Sequence, residues 1–273
     1  MVVVVTDSAA NLPAEVARDL GIVVVPLSVR FGEEVVPDDG DPDELYGRLS
    51  AGELASTAAP SVGDWVAGFE GASNDEIVCV TLAGALSSTH HEAVLAAQRT
   101  PARIEVVDSG TASMAEGFVA IEAARAARDG AALDAVVRRA REVAGRVQLQ
   151  GAIESFEHLR RTGRVTRFQA YAATALSIRP LFRLSGGVIE PAGRARTRSR
   201  ALAMLADAAA GVDGAKGPLH VAALHAAAEA DARSLLDRIR DRTDVAEEFC
   251  VPATPVIGAS TGPGLVGAAW WRG

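Results

Sequence analysis

The sequence predicts an α/β protein of two domains, an N-terminal parallel sheet with flanking helices followed by a C-terminal α+β domain with a mixed sheet. Three observations lead there. The chain has 273 residues, more than one domain of ordinary size needs. Its first half alternates short β-branched runs with stretches of helical spacing, the order that builds a parallel sheet with helices on both faces. Its second half breaks that rhythm with short strands separated by glycine turns. The boundary is placed near residue 150, giving domains of 1–150 and 151–273.

Taken in order, residues 2–6 form a β-branched strand, and 13–20 have helical spacing and end at Gly21, a residue that accepts the left-handed backbone closing a helix. Residues 22–27 are the next apolar run. Asp41-Pro42-Asp43-Glu44 opens a helix, with acids at the positive end of the helix dipole and proline in the first turn. A helix at 62–71, a buried strand at 77–81, a helix at 86–98 and a strand at 104–107 follow, then Ala-rich helices at 112–128 and 131–147. Beyond them come a strand at 148–153, a helix at 156–161 stopped by Gly163, and short strands at 178–184, 187–191 and 194–197 around Ser185-Gly186-Gly187. A helix at 198–210 leads into strand 219–224, helix 229–242, strand 245–251 and a strand-like run at 255–259.

The net charge of −8 hides an asymmetry. Residues 1–100 carry 4 arginines against 16 acids, whereas residues 158–200 carry 10 arginines against Glu190 alone. A largely acidic surface with few aromatics among its basic residues repels nucleic acid. The basic stretch fits an anionic head group or an acidic partner as well as it fits a solvated face. Cys79 and Cys250 lie in separate apolar runs and read as reduced thiols. No apolar run reaches the roughly 18 residues of a membrane helix, and the chain opens on a strand rather than a signal segment, so a cytoplasmic protein without an integral membrane segment is expected.

Three polar clusters fall at the C-terminal ends of the predicted parallel strands: Thr6-Asp7-Ser8, Thr81 leading to Ser87-Ser88-Thr89, and Asp108-Ser109-Gly110-Thr111. That edge of an open α/β sheet is where ligands bind, and hydroxyls with free amides at a helix start suit an anion. Any one cluster alone reads better as a helix cap, whereas three on one edge favour a ligand site. There is no phosphate-binding glycine loop, no nucleophile elbow around Ser87 and no metal-ligand spacing; no cofactor is expected. The acidic run Asp38, Asp39, Asp41, Asp43 lacks calcium-loop spacing and reads as a solvated loop. Gly262 to Gly267 matches a dinucleotide fingerprint as a string, but only six residues follow, too few for the helix, strand and acid that fingerprint requires. It reads instead as a glycine-rich loop beginning at Ser260, whose amides suit an anion or a plain tight turn.

These segments, in this order, resemble the bacterial DegV family along nearly the whole chain. Thr6-Asp7-Ser8 matches its opening motif. Ser56-Thr57-Ala58-Ala59-Pro60-Ser61 matches Thr-Ser-Gln-Pro-Ser, with Ala59 at the glutamine. Leu86-Ser87-Ser88-Thr89 matches Leu-Ser-Gly-Thr, and Val107-Asp108-Ser109 its Ile-Asp-Ser strand end. Residues 159–165 keep Gly163-Arg164, Arg179-Pro180 replaces a Lys-Pro, Arg196-Thr197 is retained, and residues 258–264 match the closing glycine loop with Ser260 at its histidine.

The resemblance implies a fatty acid bound between two α/β domains, in a protein that is a carrier rather than an enzyme. It further implies the binding subunit of a bacterial fatty-acid kinase, in which a separate ATP-dependent partner phosphorylates the acyl carboxylate. On that reading Thr57, Ser87, Thr89, Arg164 and Ser260 surround the carboxylate, and Ser8, Ala58, Ser88, Gly262 and Gly264 line the cleft. Ser260 cannot carry charge, so Arg164 is the cation expected beside the head group, with an ion pair to an acid of the first domain as its structural alternative. A small-molecule hydrolase or phosphoryl-transfer enzyme using the strand-end Ser and Asp residues is the competing reading.

Overall fold

The computed structural model describes residues 1–40, 42–164, 178–211 and 217–273. The β-branched runs of the first half form a parallel sheet in the order β2 (Val23–Val25), β1 (Val3–Asp7), β6 (Glu76–Thr81), β7 (Arg103–Asp108). Successive side chains of a strand point to opposite faces, and both faces are buried here. Val5, Ile77 and Cys79 pack with Trp65 and Phe69 under α3 (Val62–Gly71) and α4 (Thr89–Ala97). Val4, Val78 and Val80 face α5 (Met114–Arg128) and α6 (Leu133–Ala144), with α1 (Ala14–Leu20) against α5.

The second half builds a six-stranded mixed sheet, ordered β10 (Val188–Ala195), β9 (Arg179–Ser185), β8 (Gln148–Ala152), β13 (Val266–Arg272), β11 (Leu219–His225), β12 (Val245–Pro252). Among its described strands only β11 and β12 run parallel. One face lies under α8 (Arg198–Ala210) and α9 (Glu229–Arg240). The other face, with Leu149, Phe182, Leu224 and Trp271, joins the same core as α5 and α6. The halves thus share a continuous apolar seam. It is reinforced by Arg125 of α5, which pairs with Glu247 of β12. Burial alone would raise the Glu247 pKa, but hydrogen bonds from His220 and Arg125 hold it down at about 2.

Several expectations need correction. A three-stranded antiparallel sheet, β4 (Glu34–Pro37), β3 (Ser28–Phe31), β5 (Ala55–Ala58), was not expected at all. Its strands have four residues each, too few for a periodic signal, and only Val29 and Phe31 of β3 are buried in the core. The two short strands at 187–191 and 194–197 are one strand, β10, whose register shifts between Pro191 and Gly193. Residues 255–259 are not a strand but the start of helix α10 (Pro255–Thr261), so Ser260 lies in a last helical turn rather than a glycine loop. Val256 and Ile257 suggested β structure, yet proline at the first helical position and a cap supplied from the other half decide for helix. That cap is Asp38, which is only 3% exposed and no part of a solvated loop.

Asp38 Oδ1 accepts from Val256 N at 2.6 Å, and Ser8 Oγ donates to Asp38 Oδ2 at 2.6 Å. Asn11, at φ 57, completes the clamp: its Nδ2 donates to Pro252 O at 2.8 Å and its Oδ1 accepts from Thr254 N at 3.1 Å. Among the described residues, no helix is long and apolar enough to cross a membrane. Asn11→Gly keeps that backbone while removing both side-chain bonds, and should cost about 1–3 kcal/mol in urea unfolding. Unchanged stability would show that the clamp does not hold α10 in place.

Three buried carboxyls make stability pH-dependent. Burial lifts Asp7 to about 7 against the pull of the Leu82 and Ala9 amides, and lifts Asp38 to about 6. Burial and then Asp7 push Glu116 well above the ordinary carboxylate range. Each group holds its proton in the folded chain at pH values where the unfolded chain has released it. Their contribution is therefore full below about pH 4 and is lost as pH rises through the folded values. Glu116→Gln preserves the acceptor for Thr6 Oγ1. It should flatten the decline of the urea midpoint as pH rises above the ordinary carboxylate range. A slope equal to wild type would assign the dependence elsewhere.

Candidate functional site

A largely apolar cavity lies between the C-terminal edge of the parallel sheet, the three-stranded sheet and the inner face of the six-stranded sheet. Leu27, Leu82, Leu149, Phe182, Leu224 and Leu265 line it. Space is kept open on β8 by Gly151, where a Cβ would stand 2.7 Å from the Phe182 ring. Thr57, Ser87, Arg164 and Ser260 also line this cavity. Thr57, Arg164 and Ser260 line a second, more polar cleft as well, together with Ser56, His158 and Arg161 and with Leu49 and Leu54. Those three residues therefore form the partition between an apolar interior and a polar mouth.

Arg164 organises the partition. Its Nε donates to Leu86 O at 2.8 Å, one terminal nitrogen to Ser260 Oγ at 3.3 Å and the other to Thr57 Oγ1 at 3.3 Å. The guanidinium thus ties together β5, the loop before α4 and α10. Among the described residues no carboxylate pairs with it; of the acidic run Asp38–Glu44 in the first domain, Asp41 lies outside the described residues. Burial pushes its pKa below the ordinary arginine value, and a guanidinium keeps its charge in proteins. A positive charge with donors pointing at one spot and an apolar cavity behind it can capture an amphipathic anion.

The remaining expected residues are placed as follows. Ser87 Oγ shares a 2.8 Å hydrogen bond with Thr89 Oγ1 and accepts from Thr89 N at 3.3 Å. Thr89 is fully buried and Ser88 is exposed; neither lines the cavity. Ala58 does. Ser8 is occupied elsewhere, bonding Asp38 and accepting from Leu27 N at 2.9 Å. Gly262 and Gly264 lie outside the cavity lining, at φ 77 and φ 83, packed on His158 and Glu154.

The strand-end acids are engaged in holding loops. Asp7 accepts from Ala9 N and Leu82 N, both at 2.9 Å, and Asp108 from Gly84 N at 3.1 Å and Gly110 N at 2.8 Å. Much of the basic stretch is also paired internally: Arg161 with Glu157, Arg179 with Glu154, Arg183 with Glu190, and Arg198 with Glu154 and Asp231. Arg167 lies outside the described residues.

One residue of the mouth went unnoticed in the sequence. His158, on the short helix α7 (Glu157–Arg161), sets its ring edge against Gly262, where a Cβ would stand 2.4 Å from Cδ2. Burial, then the nearby Arg161, lowers its pKa, leaving the imidazole neutral at pH 7. Its only sequence signal is position, in the helix leading directly into Gly163-Arg164.

Comparison with known proteins bears on the family and the fold. A DegV domain-containing protein of Streptomyces coelicolor is 37% identical over 97% of this chain and 96% of its own length. A fatty-acid-binding DegV family protein from Thermus thermophilus superposes with a TM-score of 0.93 at 27% identity, covering 99% of both chains. The structure of DegV, a fatty acid binding protein from Bacillus subtilis, gives 0.87 at 28% identity over 100% of this chain and 99% of that one. The model of the DegV family, a family of uncharacterised proteins, matches residues 1–272, and the chain belongs to that family.

Proposed function

We propose that this protein binds a long-chain fatty acid in a cleft between domains of residues 1–150 and 151–273, acting in the cytoplasm as a binding subunit rather than a catalyst. The acyl tail fills the apolar cavity. Its carboxylate meets Arg164, Thr57, Ser87 and Ser260 at the partition. The observation that carries this reading is Arg164 itself, a half-buried cation without an acid partner among the described residues, at the end of an apolar cavity. A buried carboxylate is very costly unless charge and hydrogen bonds compensate it, and this site offers both. Two similar solved structures are of fatty-acid-binding proteins, which supports the same ligand class here.

The polar mouth supports a second step. With the carboxylate at Arg164, the neutral His158 and the Arg161 side chain stand on the outward side of the head group. We place a separate ATP-dependent kinase there, receiving the carboxylate for phosphorylation to an acyl phosphate. Thr89 serves the site indirectly, by holding the Ser87 hydroxyl.

Native mass spectrometry of protein purified from cells should reveal a co-purifying long-chain acid, and its absence from folded protein that also fails to take up added acid would sink the proposal. Hydrogen bonds to a charged group contribute about 1.5–3 kcal/mol each. Thr57→Val combined with Ser87→Ala should therefore weaken binding by about two orders of magnitude or more. Arg164→Met should lose affinity by at least as much while its unfolding midpoint falls only modestly, because methionine keeps the bulk of the side chain and the three lost hydrogen bonds are offset in part by no longer burying a charge. If stability collapses and binding persists, Arg164 is a structural strut and the hydroxyls alone hold the head group.

A further inference from the structure

Ser113 stands outside everything assigned so far. It immediately precedes α5 with its backbone at φ 56, ψ −153, a region that residues other than glycine rarely adopt. Its neighbours fix that conformation. The Ser113 amide donates to Ala9 O at 2.7 Å, and its carbonyl accepts the first helical bond from Gly117 N at 2.9 Å. A serine in this position ordinarily turns its hydroxyl onto the first-turn amides. Here no such bond forms. The residue instead lines the apolar cavity at 2% exposure, and its Oγ has no hydrogen-bond partner among the described residues.

A buried hydroxyl without a partner is unfavourable, and native structures seldom leave one so. A plain hydrocarbon tail cannot satisfy it. Ser113 also sits at the N-terminus of a 15-residue helix, whose unpaired first-turn amides favour an oxygen nearby. The strained backbone, the unsatisfied hydroxyl and the helix end all converge on one stretch of cavity wall. The head-group residues belong to other elements: Thr57 to β5, Arg164 to the segment after α7, and Ser260 to α10.

We infer that Ser113 marks a second polar subsite within the cavity, built for an oxygen carried on the acyl chain, and that the ligand class is a long-chain acid bearing a chain hydroxyl. This rests on the fatty-acid reading above. The carboxylate is held at Arg164, and the chain hydroxyl exchanges a hydrogen bond with Ser113 Oγ.

The test compares stearic acid with a series of stearic acids carrying one hydroxyl at successive chain positions, each titrated into wild type, Ser113→Ala and Ser113→Gly. Glycine relaxes the strained backbone, so at least one variant keeps the fold. Wild type should bind one positional isomer about tenfold tighter than stearic acid. Both variants should lose that preference while binding stearic acid as well as wild type does. Equal affinity of wild type for stearic acid and every isomer, or a preference that survives both substitutions, overturns the subsite and leaves the fatty-acid reading standing. If wild type binds none of these acids, that reading fails and this inference fails with it.

Discussion

A guanidinium taken out of water with no carboxylate partner among the described residues is the constraint on which the cleft depends. Arg164 meets it with one carbonyl and two hydroxyls. Those groups disperse the charge without cancelling it, which is what a site for an anion requires. They also come from elements far apart in sequence: β5, the loop before α4 and α10. An arginine neutralised by an acid would hold these elements equally well and would offer nothing to a ligand.

Such a partition needs its walls held independently of the ligand. The clamp of Asp38 and Asn11 does this for α10, because it grips the start of the helix while Ser260 occupies its last turn. A seven-residue helix is too short to be stable alone. Its position is dictated by the first half of the chain, through that clamp and through Gly258, where a Cβ would stand 2.6 Å from the Tyr46 hydroxyl. On the opposite side, α5 anchors the six-stranded sheet through apolar packing and the Arg125–Glu247 pair. The cavity is the gap left between these two fixed contacts, rather than a hollow in either half.

Legibility followed element length and the locality of each cause. Helices α3 and α8 could be read to their end residues because their signals are local: Ser61 caps α3 in a reciprocal box with Asp64, and Thr197 caps α8 through Arg200 N. The strands β1, β6 and β7 were legible as β-branched runs, and the polar clusters at their ends do share one edge. What escaped depends on distant partners. The cap of α10 lies more than two hundred positions away at Asp38, so the Val-Ile pair pointed to a strand. The same Asp38 looked solvated because nothing in its own neighbourhood shows that Ser8 and Val256 will enclose it. His158 reaches the mouth only because Gly262 leaves room for its ring.

The serine at position 260 gives the site its electrostatic character. A histidine there would add a group titrating near neutrality, whereas Ser260 and Thr57 carry no titrating proton in that range. Arg164 stays charged throughout, and burial with Arg161 keeps the His158 imidazole neutral above the ordinary histidine value. In the proposed reading the carboxylate is therefore held by a permanent charge and neutral dipoles. Its capture does not depend on the protonation of the protein, and His158 lines the mouth rather than the tail cavity. On that reading the groups that hold the ligand, on β5, α10 and the segment after α7, are distinct from the imidazole at the mouth on α7.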